Sequence, residues 1–498
     1  MHSLRIVLSG AAALALMAGV YPPALARLGA KKPKATLTFT KLWTYGPTTP
    51  GQVSEIPAFD PRTNTIWVVG VVGVDVVDAD TGAFVAHIDV TPHGAVNSVA
   101  IHNGLAALAV EAPSQSIVCP SCDRRNPGKV LFFDTRTREQ SGDDVGVGSL
   151  PDMLTFTHDG SRLLVANEAT PNRMADAPYI FNDQLGDPPG SVSIIDIATR
   201  MVVKTARFDN VPTSGEFLRM KPATAMDFEP EYIAINHDDT KAYVTLQEAN
   251  AVAVLDLASN EFTEIIGLGA KDFNEPGNEI DPRDDTPPSV SFQSYGARGL
   301  YMPDSVATYK WKGETYLVMA NEGDFREDNA DRVAAGLTAP LDRLRVVTDL
   351  RAFGLFATGG RSFSIRRTNG EIVYDSGSIL DREANKRLVY DDGRSRDKGV
   401  EPEGVALLKI GSRTFAFVGL ERATKSAVAV FDITDLENVR FLDMIVTDGN
   451  LSPEGLAAYK YRGKYYLAIA NEVFAPGQTT ANTTLYLIES DQADDSEE

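Results

Sequence analysis

The sequence predicts an all-β protein, a single β-propeller of about seven four-stranded blades with long loop insertions. Three observations predict this fold. One short phrase recurs along the chain, strand-like runs of Val, Ile, Tyr and Phe dominate it, and the copies lie far enough apart to hold one blade each. A repeat of this size indicates repeated supersecondary units, and the common all-β arrangement of such units is a propeller, as in WD40 and YVTN-type repeats.

The recurring phrase is an acidic residue, usually beside proline, that leads into a short apolar strand. A second strand follows and ends in Asn-Glu or a near variant. The clearest copies begin and end at Asp152 and Glu168, Glu231 and Glu248, Asp304 and Glu322, Glu403 and Glu421, and Glu454 and Glu472. Two weaker copies start at Glu55 and at Ser98, the latter ending at Glu111. Seven copies predict about seven blades.

A third strand follows each pair and usually ends in Asp. The strands that carry this signal end at Asp80, Asp134, Asp196, Asp256 and Asp432. The leading positions lie unevenly along the chain, whereas a minimal blade needs about 40–45 residues. The excess predicts insertions at the loops, over residues 172–189, 208–227, 269–301 and 326–399.

The N-terminus has the features of a signal peptide over residues 1–26. Arg5 precedes an apolar run, and Ala24-Leu25-Ala26 fits a cleavage site. The alternative is an uncleaved anchor, although the apolar run is short for a membrane span. We therefore expect an exported protein, periplasmic or secreted, with a propeller over 41–488 and an acidic disordered tail over 489–498.

The two cysteines lie close together, as Cys119-Pro-Ser-Cys122. In an exported protein this spacing favours a local disulfide. A zinc site would need two more ligands, and a thioredoxin-like role would need a βαβ context.

The chain is strongly acidic. It has 47 basic and 68 acidic residues in 498, a formal charge of -21. Such a charge disfavours nucleic acid and anionic membranes, because phosphates need a basic surface. It favours cations, or anionic ligands held through cations.

The repeat predicts where its acids meet. Consecutive strands of a blade are antiparallel, so a residue before the first strand and one after the second lie at the same edge. The acids should therefore ring one mouth of the central channel, and a cluster of hard oxygen ligands suits a divalent cation, above all Ca²⁺. The predicted ligands are Glu231, Asp304, Glu322, Asp324, Glu403 and Glu454. Asn167, Asn321 and Asn471 are expected to add amide oxygens. The alternative is that the acids accept backbone hydrogen bonds and join neighbouring blades.

Basic residues stand among these acids, and three are candidates for ligand binding: Arg326, Lys398 and Arg422. They either balance charge in ion pairs or recognise an anion beside the metal. The histidines lack zinc-hydrolase spacing, and the sequence holds no nucleophile elbow or phosphate-binding loop. Catalytic residues stay unassigned.

Several phrases resemble the choice-of-anchor I family, which is related to the mesenchyme-specific cell-surface glycoproteins. They are PDSVATYKWKGETYLVMANEGDFRED, EPEGVAL, GGRSFSI and DFEPEYIAI with TLQEANAVAVLDL. The resemblance covers roughly 41–488 and implies export, a propeller and possible calcium involvement. Some bacterial members carry alkaline-phosphatase or phytase-like labels, but the family offers no established catalytic residues to transfer.

Two functions follow as hypotheses. The first is a non-catalytic, cation-binding exported propeller that holds a small anionic ligand or a surface or extracellular partner. The second is a metal-dependent phosphohydrolase, in which bound ions activate water and Arg326 and Arg422 clamp phosphate. A quinoprotein-like redox propeller is disfavoured because only three tryptophans occur. We expect a monomer that does not span a membrane.

Overall fold

The computed structural model describes residues 36–113, 126–170, 188–220, 228–325, 331–472 and 481–491. The predicted signal peptide, Cys119, Cys122, Arg326 and residues 492–498 of the predicted tail lie outside these residues. Residues 36–491 form one compact unit over their described part. Among the described helices, none is long and apolar enough to cross a bilayer.

The first strand, β1 (Leu37–Tyr45), belongs to the last blade, and the next twelve strands form blades 1 to 3 in order. Blade 1 consists of β2 (Pro57–Asp60), β3 (Thr65–Gly70), β4 (Gly73–Asp78) and β5 (Phe84–Asp89). Blade 2 consists of β6 (Ala95–His102), β7 (Leu105–Glu111), β8 (Pro127–Asp134) and β9 (Val145–Ser149). Blade 3 consists of β10 (Pro151–Phe156), β11 (Arg162–Asn167), β12 (Ser191–Asp196) and β13 (Met201–Arg207).

Blades 4 and 5 carry the long insertions. Blade 4 consists of β15 (Pro230–Ile235), β16 (Lys241–Leu246), β17 (Ala251–Asp256) and β18 (Glu261–Leu268), with β14 (Thr213–Glu216) added parallel to β18. Blade 5 consists of β21 (Val306–Trp311), β22 (Glu314–Asn321), β26 (Ser362–Arg367) and β27 (Ile372–Asp375). The insertions form two small sheets, from β19 (Ala270–Asp272), β20 (Arg298–Leu300) and β25 (Phe356–Ala357), and from β23 (Val333–Ala334) and β24 (Arg345–Val346). They also hold the one described α-helix, α1 (Ile379–Lys386), and 3-10 turns at Leu341–Arg343, Arg351–Phe353 and Asp392–Arg394.

Blades 6 and 7 complete the ring. Blade 6 consists of β28 (Pro402–Ile410), β29 (Arg413–Leu420), β30 (Ser426–Asp432) and β31 (Arg440–Thr447). Blade 7 consists of β32 (Pro453–Tyr461), β33 (Lys464–Asn471) and β34 (Asn482–Ser490), with β1 as its outer strand.

Both ends of the chain close the propeller. Strand β1 pairs antiparallel with β34, from Leu37 opposite Ser490 to Tyr45 opposite Thr483. The innermost strands of neighbouring blades contact one another around the ring, and β32 of blade 7 contacts β2 of blade 1. The prediction of about seven four-stranded blades with long insertions is confirmed over the described residues. The strands of the propeller run from Leu37 to Ser490, because β1 pairs with β34 from Leu37 to Tyr45 with a register shift between Lys41 and Trp43.

Packing between neighbouring blades explains why the central strands are continuous apolar runs in the sequence. Blades stack face to face, so a central strand is covered on both sides. Every residue of β3 and of β30 is buried. Trp67, Phe132 and Phe417 are the kind of large side chain that fills the space between blades, each fully buried.

The acids that end the third strands shape turns at the opposite end from the mouth. The Asp78 and Asp196 carboxylates each accept the backbone N–H three residues later, at 2.9 and 2.8 Å. Equivalent bonds reach Asp134 and Asp256, whereas Asp432 accepts the backbone N–H two residues later. In blade 1 the turn residue is Asp78, not Asp80 as the repeat predicted. These acids are turn-forming residues, since an Asp side chain that bonds a nearby backbone N–H favours a turn.

Candidate functional site

A shared backbone device positions the leading acid of each blade. In four blades the residue two positions before it lies in the left-handed region, and a proline stands between them. These residues are Leu150 (φ 45°), Met302 (φ 44°), Glu401 (φ 51°) and Ser452 (φ 50°). Non-glycine residues rarely adopt this conformation, and such strain tends to gather at functional sites.

The strand register then shifts at the acid. Irregularities follow Pro151, Pro230, Pro402 and Pro453, so that Asp152, Glu231, Glu403 and Glu454 all lie on β-bulges. A bulge re-aims a side chain that regular pairing would place in the sheet. The acid that ends the second strand is tied to the same spot by its backbone. The Glu168 N–H donates to the Leu150 carbonyl at 2.8 Å, and the Glu421 N–H to the Glu401 carbonyl at 2.9 Å.

The acids converge on one cavity of about 450 Å³, which we call the acidic mouth. Its described lining residues are Asp152, Glu168, Glu231, Gln247, Asp304, Glu322, Asp324, Arg332, Arg394, Lys398, Glu401, Glu403, Glu421, Arg422 and Glu454. A second cavity of about 230 Å³ continues it into the central channel. Asp152, Asp304, Glu403 and Glu454 line both. The predicted ring at one mouth is therefore present.

Three groups of carboxylates in the acidic mouth could each hold a cation. In every group one oxygen per residue lies within 4.8 Å of the others. The groups are Asp304 with Glu322 and Glu403, Glu322 with Glu401 and Glu421, and Glu403 with Glu421 and Glu454. Because the groups share members, they form one continuous network of oxygen ligands.

The electrostatics of the mouth favour bound protons or bound cations. The pKa is raised well above its usual range, by burial first and by neighbouring carboxylates second, in Glu231, Asp304, Glu403 and Glu421. Burial and Glu472 raise the pKa of Glu454 to about 7, and burial raises the pKa of Glu55 to about 9. One oxygen of Glu403 and one of Glu454 lie within 4.8 Å of each other, a spacing at which two buried carboxylates favour a bound proton or cation.

Lys398 neutralises one side of the mouth. Its buried Nζ lies 2.7 Å from Glu322 Oε1, 2.9 Å from Glu401 Oε2 and 3.4 Å from Asp324 Oδ1. Burial works against the lysine charge, but these carboxylates raise the pKa of Lys398 well above its usual range. Burial would likewise raise the pKa of Glu401, yet Lys398 and Arg394 outweigh it and hold that pKa low. The group of Glu322, Glu401 and Glu421 is thus already paired with the Lys398 ammonium.

The arginines of the mouth are engaged with carboxylates. Arg422 Nη2 lies 2.7 Å from Glu421 Oε1, and Arg394 Nη2 lies 2.6 Å from Glu401 Oε1. Arg332 pairs with Asp397. The basic side chains therefore balance charge in this state, the first of the two roles considered from the sequence.

Two connections of blade 5 form the basic wall of the mouth, and a buried arginine anchors the first of them. Arg332 lies between β22 and β26, whereas Arg394 and Lys398 lie between β27 and β28. Arg219 is 1% exposed and joins the first connection to blade 4, with Nε 3.0 Å from Asp349 Oδ2 and Nη2 2.5 Å from Asp331 Oδ1. A paired buried guanidinium of this kind fixes geometry well.

The six predicted metal ligands all line the acidic mouth, as do Lys398 and Arg422. Asp324 is the most open of the six, with its side chain 51% exposed. Glu55 and Ser98 of the weaker repeats line the adjoining channel instead. The metal-ligand roles of the six acids stay predictions.

The three asparagines do not serve the mouth as expected. The Asn167 amide donates to Ser191 Oγ and Ser193 Oγ, and its oxygen accepts the Gly148 N–H. Asn321 is likewise bonded to serines of its own blade. The Asn471 amide donates to Asn482 Oδ1 at 3.1 Å. All three side chains are buried at the ends of second strands, where they join strands rather than face the cavity.

Sequence reasoning missed Glu401, Gln247, Arg332 and Arg394 as lining residues. Gln247 donates to Glu322 Oε2 at 2.7 Å. A signal for Glu401 was present, since Glu401-Pro402-Glu403 places acids on both sides of the motif proline. The two arginines lie in an insertion without a repeat, so no pattern could place them.

Comparisons with known proteins agree with this architecture. The model of the choice-of-anchor I domain matches residues 55–344 and 340–436. No curated protein sequence matches the chain. One solved structure that it resembles is "Kuenenia stuttgartiensis Hydrazine Synthase", with a TM-score of 0.50 and 14% identity over 86% of this chain and 94% of that one. At this identity the likeness concerns the fold alone.

Proposed function

The chain belongs to the choice-of-anchor I family, and from this premise we propose that it is an exported propeller that binds divalent cations, calcium above all, in its acidic mouth. Through the bound cation it would hold a small anionic ligand or a surface partner. The observation that carries the proposal is the network of three carboxylate groups whose oxygens lie within 4.8 Å of one another.

Two unpartnered oxygens favour cation binding in the mouth. Glu231 Oε2 and Glu403 Oε2 are buried and have no hydrogen-bond partner among the described residues. A buried polar atom without a partner costs about 1–3 kcal/mol, and a cation in the mouth would supply one. The raised pKa values have the same origin, because carboxylates packed this closely need a proton or a metal.

The donor set favours a hard cation. Carboxylate oxygens are the ligands of Ca²⁺, which accepts six to eight oxygens in flexible geometry. Among the described lining residues no histidine or cysteine occurs, and these are the usual ligands of zinc. The mouth offers many oxygens without an octahedral frame, which suits Ca²⁺ better than Mg²⁺.

The site of action follows from the same premise. The N-terminal sequence has signal-peptide features, and calcium is abundant outside the cytoplasm. We place the protein in the periplasm or in the secreted fraction, where millimolar sites are useful.

Calcium is expected to raise the melting temperature of the mature protein, and Glu403→Gln/Glu421→Gln is expected to abolish that rise. At 100 times its dissociation constant, calcium would add about 2.7 kcal/mol to the free energy of unfolding. The measurement is thermal unfolding at pH 8 in EDTA and in a calcium series, with isothermal titration calorimetry for stoichiometry.

The double variant also tests whether the carboxylate charges cause the calcium response. Glutamine mimics the protonated acid, so this variant should be at least as stable as the wild type in EDTA while losing the calcium response. Glu261→Gln is a matched control on an exposed blade surface, where the side chain is 54% exposed. An unchanged calcium response in the double variant would contradict the proposal.

A metal-dependent phosphohydrolase is the second candidate, because basic side chains share the mouth with the proposed ligands. Arg422 and Arg394 are, however, each paired with a glutamate, and this arrangement supports binding over phosphate clamping. We expect no phosphate release from p-nitrophenyl phosphate or phytate above the buffer rate, with EDTA or with calcium restored. Metal-dependent turnover that Glu322→Gln/Arg422→Ala removes would instead establish the enzyme.

A further inference from the structure

Two histidines that the acidic mouth does not use come together on the opposite face of the propeller. His158 follows β10 and His237 follows β15, so both stand in the turn after the innermost strand of adjacent blades 3 and 4. Their strands begin at Asp152 and Glu231 in the mouth. Six residues of strand place the histidines roughly 20 Å from it.

The two imidazoles lie edge to face. Their ring centroids lie 6.2 Å apart and the ring planes are inclined by 67°. Metal–nitrogen bonds of about 2.1 Å on a tetrahedral ion would bring two imidazole centroids to about 5 Å. His237 is exposed, so a side-chain rotation can close that difference.

A carboxylate holds the His158 ring at its Nδ1 atom. Asp239 Oδ1 lies 2.6 Å from His158 Nδ1 and also accepts the His158 backbone N–H at 3.0 Å, while Oδ2 accepts the Asp159 N–H at 3.1 Å. An ionised carboxylate only accepts, so Nδ1 carries a proton and Nε2 is the nitrogen that the neutral ring would offer to a metal ion. This carboxylate–histidine arrangement is the one that typically supports metal-bound histidine.

Contacts between the blades hold the turns in place. Arg162 Nη1 donates to Asn260 Oδ1 at 3.0 Å and so joins blade 3 to blade 4. Thr308 Oγ1 donates to the Ile235 carbonyl at 2.7 Å and braces the turn of His237 from blade 5. The distance between the two histidines is therefore set by packed strands rather than by loose loops.

We infer that His158 and His237 form a second metal site, for Zn²⁺ or another late first-row divalent ion, with Asp239 orienting His158 and water completing the coordination. Imidazole favours these ions over calcium, whereas the acidic mouth favours calcium. The site does not depend on the function proposed for the mouth.

Zinc competition with a chromophoric chelator tests the inference, on the full mature chain with calcium present to occupy the mouth. We expect one zinc equivalent that is weakened at least tenfold by His158→Ala and by His237→Ala. Asp239→Asn should weaken it by about tenfold, the lower end for partners of a ligating histidine, and asparagine tolerates the left-handed conformation of residue 239 (φ 53°).

His93→Ala is the matched control and should keep wild-type zinc affinity. His237→Ala leaves the His158–Asp239 hydrogen bond in place, so its fold is expected to survive. Absence of zinc binding by the wild type, or a double variant His158→Ala/His237→Ala with unchanged zinc affinity, would overturn the inference.

Discussion

Raising the pH from 5 to 9 is expected to lower the free energy of unfolding of the calcium-free protein, and calcium is expected to restore it. The pKa of Glu454 is raised to about 7 and that of Glu55 to about 9 in the folded protein, from about 4.5. Between the unfolded and the folded pKa of each group, the folded chain binds more protons than the unfolded chain. The free energy of unfolding therefore falls as pH rises through this interval. For Glu454 alone the shift corresponds to about 3 kcal/mol.

The groups with lowered pKa values do not disturb this window. Glu401, held low by Lys398 and Arg394, loses its contribution only as pH falls below the unfolded value. The decline between pH 5 and 9 therefore reports the raised carboxyl groups.

Thermal unfolding in EDTA across this range measures the effect, repeated with calcium and with Glu403→Gln/Glu421→Gln. The wild type should lose several degrees without calcium, and the loss should be smaller with calcium and in the variant. A melting temperature that is flat or rises from pH 5 to 9 in EDTA would contradict the electrostatic account of the mouth.

The mouth could be predicted from the sequence because a repeat multiplies one local geometry. An acid, a proline and an apolar run in each blade place Asp152, Glu403 and Glu454 alike, whichever blade they belong to. The repeat did not reveal the left-handed backbone residue that precedes the proline in four of the blades. A left-handed residue such as Leu150 or Met302 carries no sequence signature, since neither is a glycine or asparagine.

The basic wall could not be predicted for a different reason. Arg332 reaches the mouth from the long connection between β22 and β26, and Arg394 and Lys398 reach it from the connection between β27 and β28. The paths of these connections depend on tertiary contacts, among them the ion pairs of Arg219 with Asp331 and Asp349. Lys398 was recognised because it stands close to a motif acid. A residue's distance along the chain says little about its position once a loop of this length intervenes.

The sequence also failed to predict the direction of the asparagine side chains. Asn167 and Asn321 precede motif glutamates by one residue, and successive strand residues point to opposite faces. That alternation sends the glutamate to the mouth and the asparagine into its own blade, where serines hold it. The pattern predicted proximity correctly and direction wrongly.

Replacing Lys398 by methionine is expected to destabilise the protein by about 3–5 kcal/mol, because it leaves Glu322 buried without its cation and removes one of the cations that pair with Glu401. Lys312→Met is the matched control. Lys312 Nζ lies 2.7 Å from Glu437 Oε1, the same distance as the Lys398–Glu322 pair, but its side chain is 61% exposed. An exposed pair of this kind contributes 0–1 kcal/mol.

Urea unfolding in EDTA measures both variants, and a calcium titration then separates two explanations for the loss. If the lysine serves as a tethered cation, its removal frees the group of Glu322, Glu401 and Glu421 for a metal ion. Calcium should then stabilise Lys398→Met more than it stabilises the wild type. If Lys398→Met costs no more than Lys312→Met, the ammonium does not neutralise the mouth, and the carboxylates must be protonated even beside it.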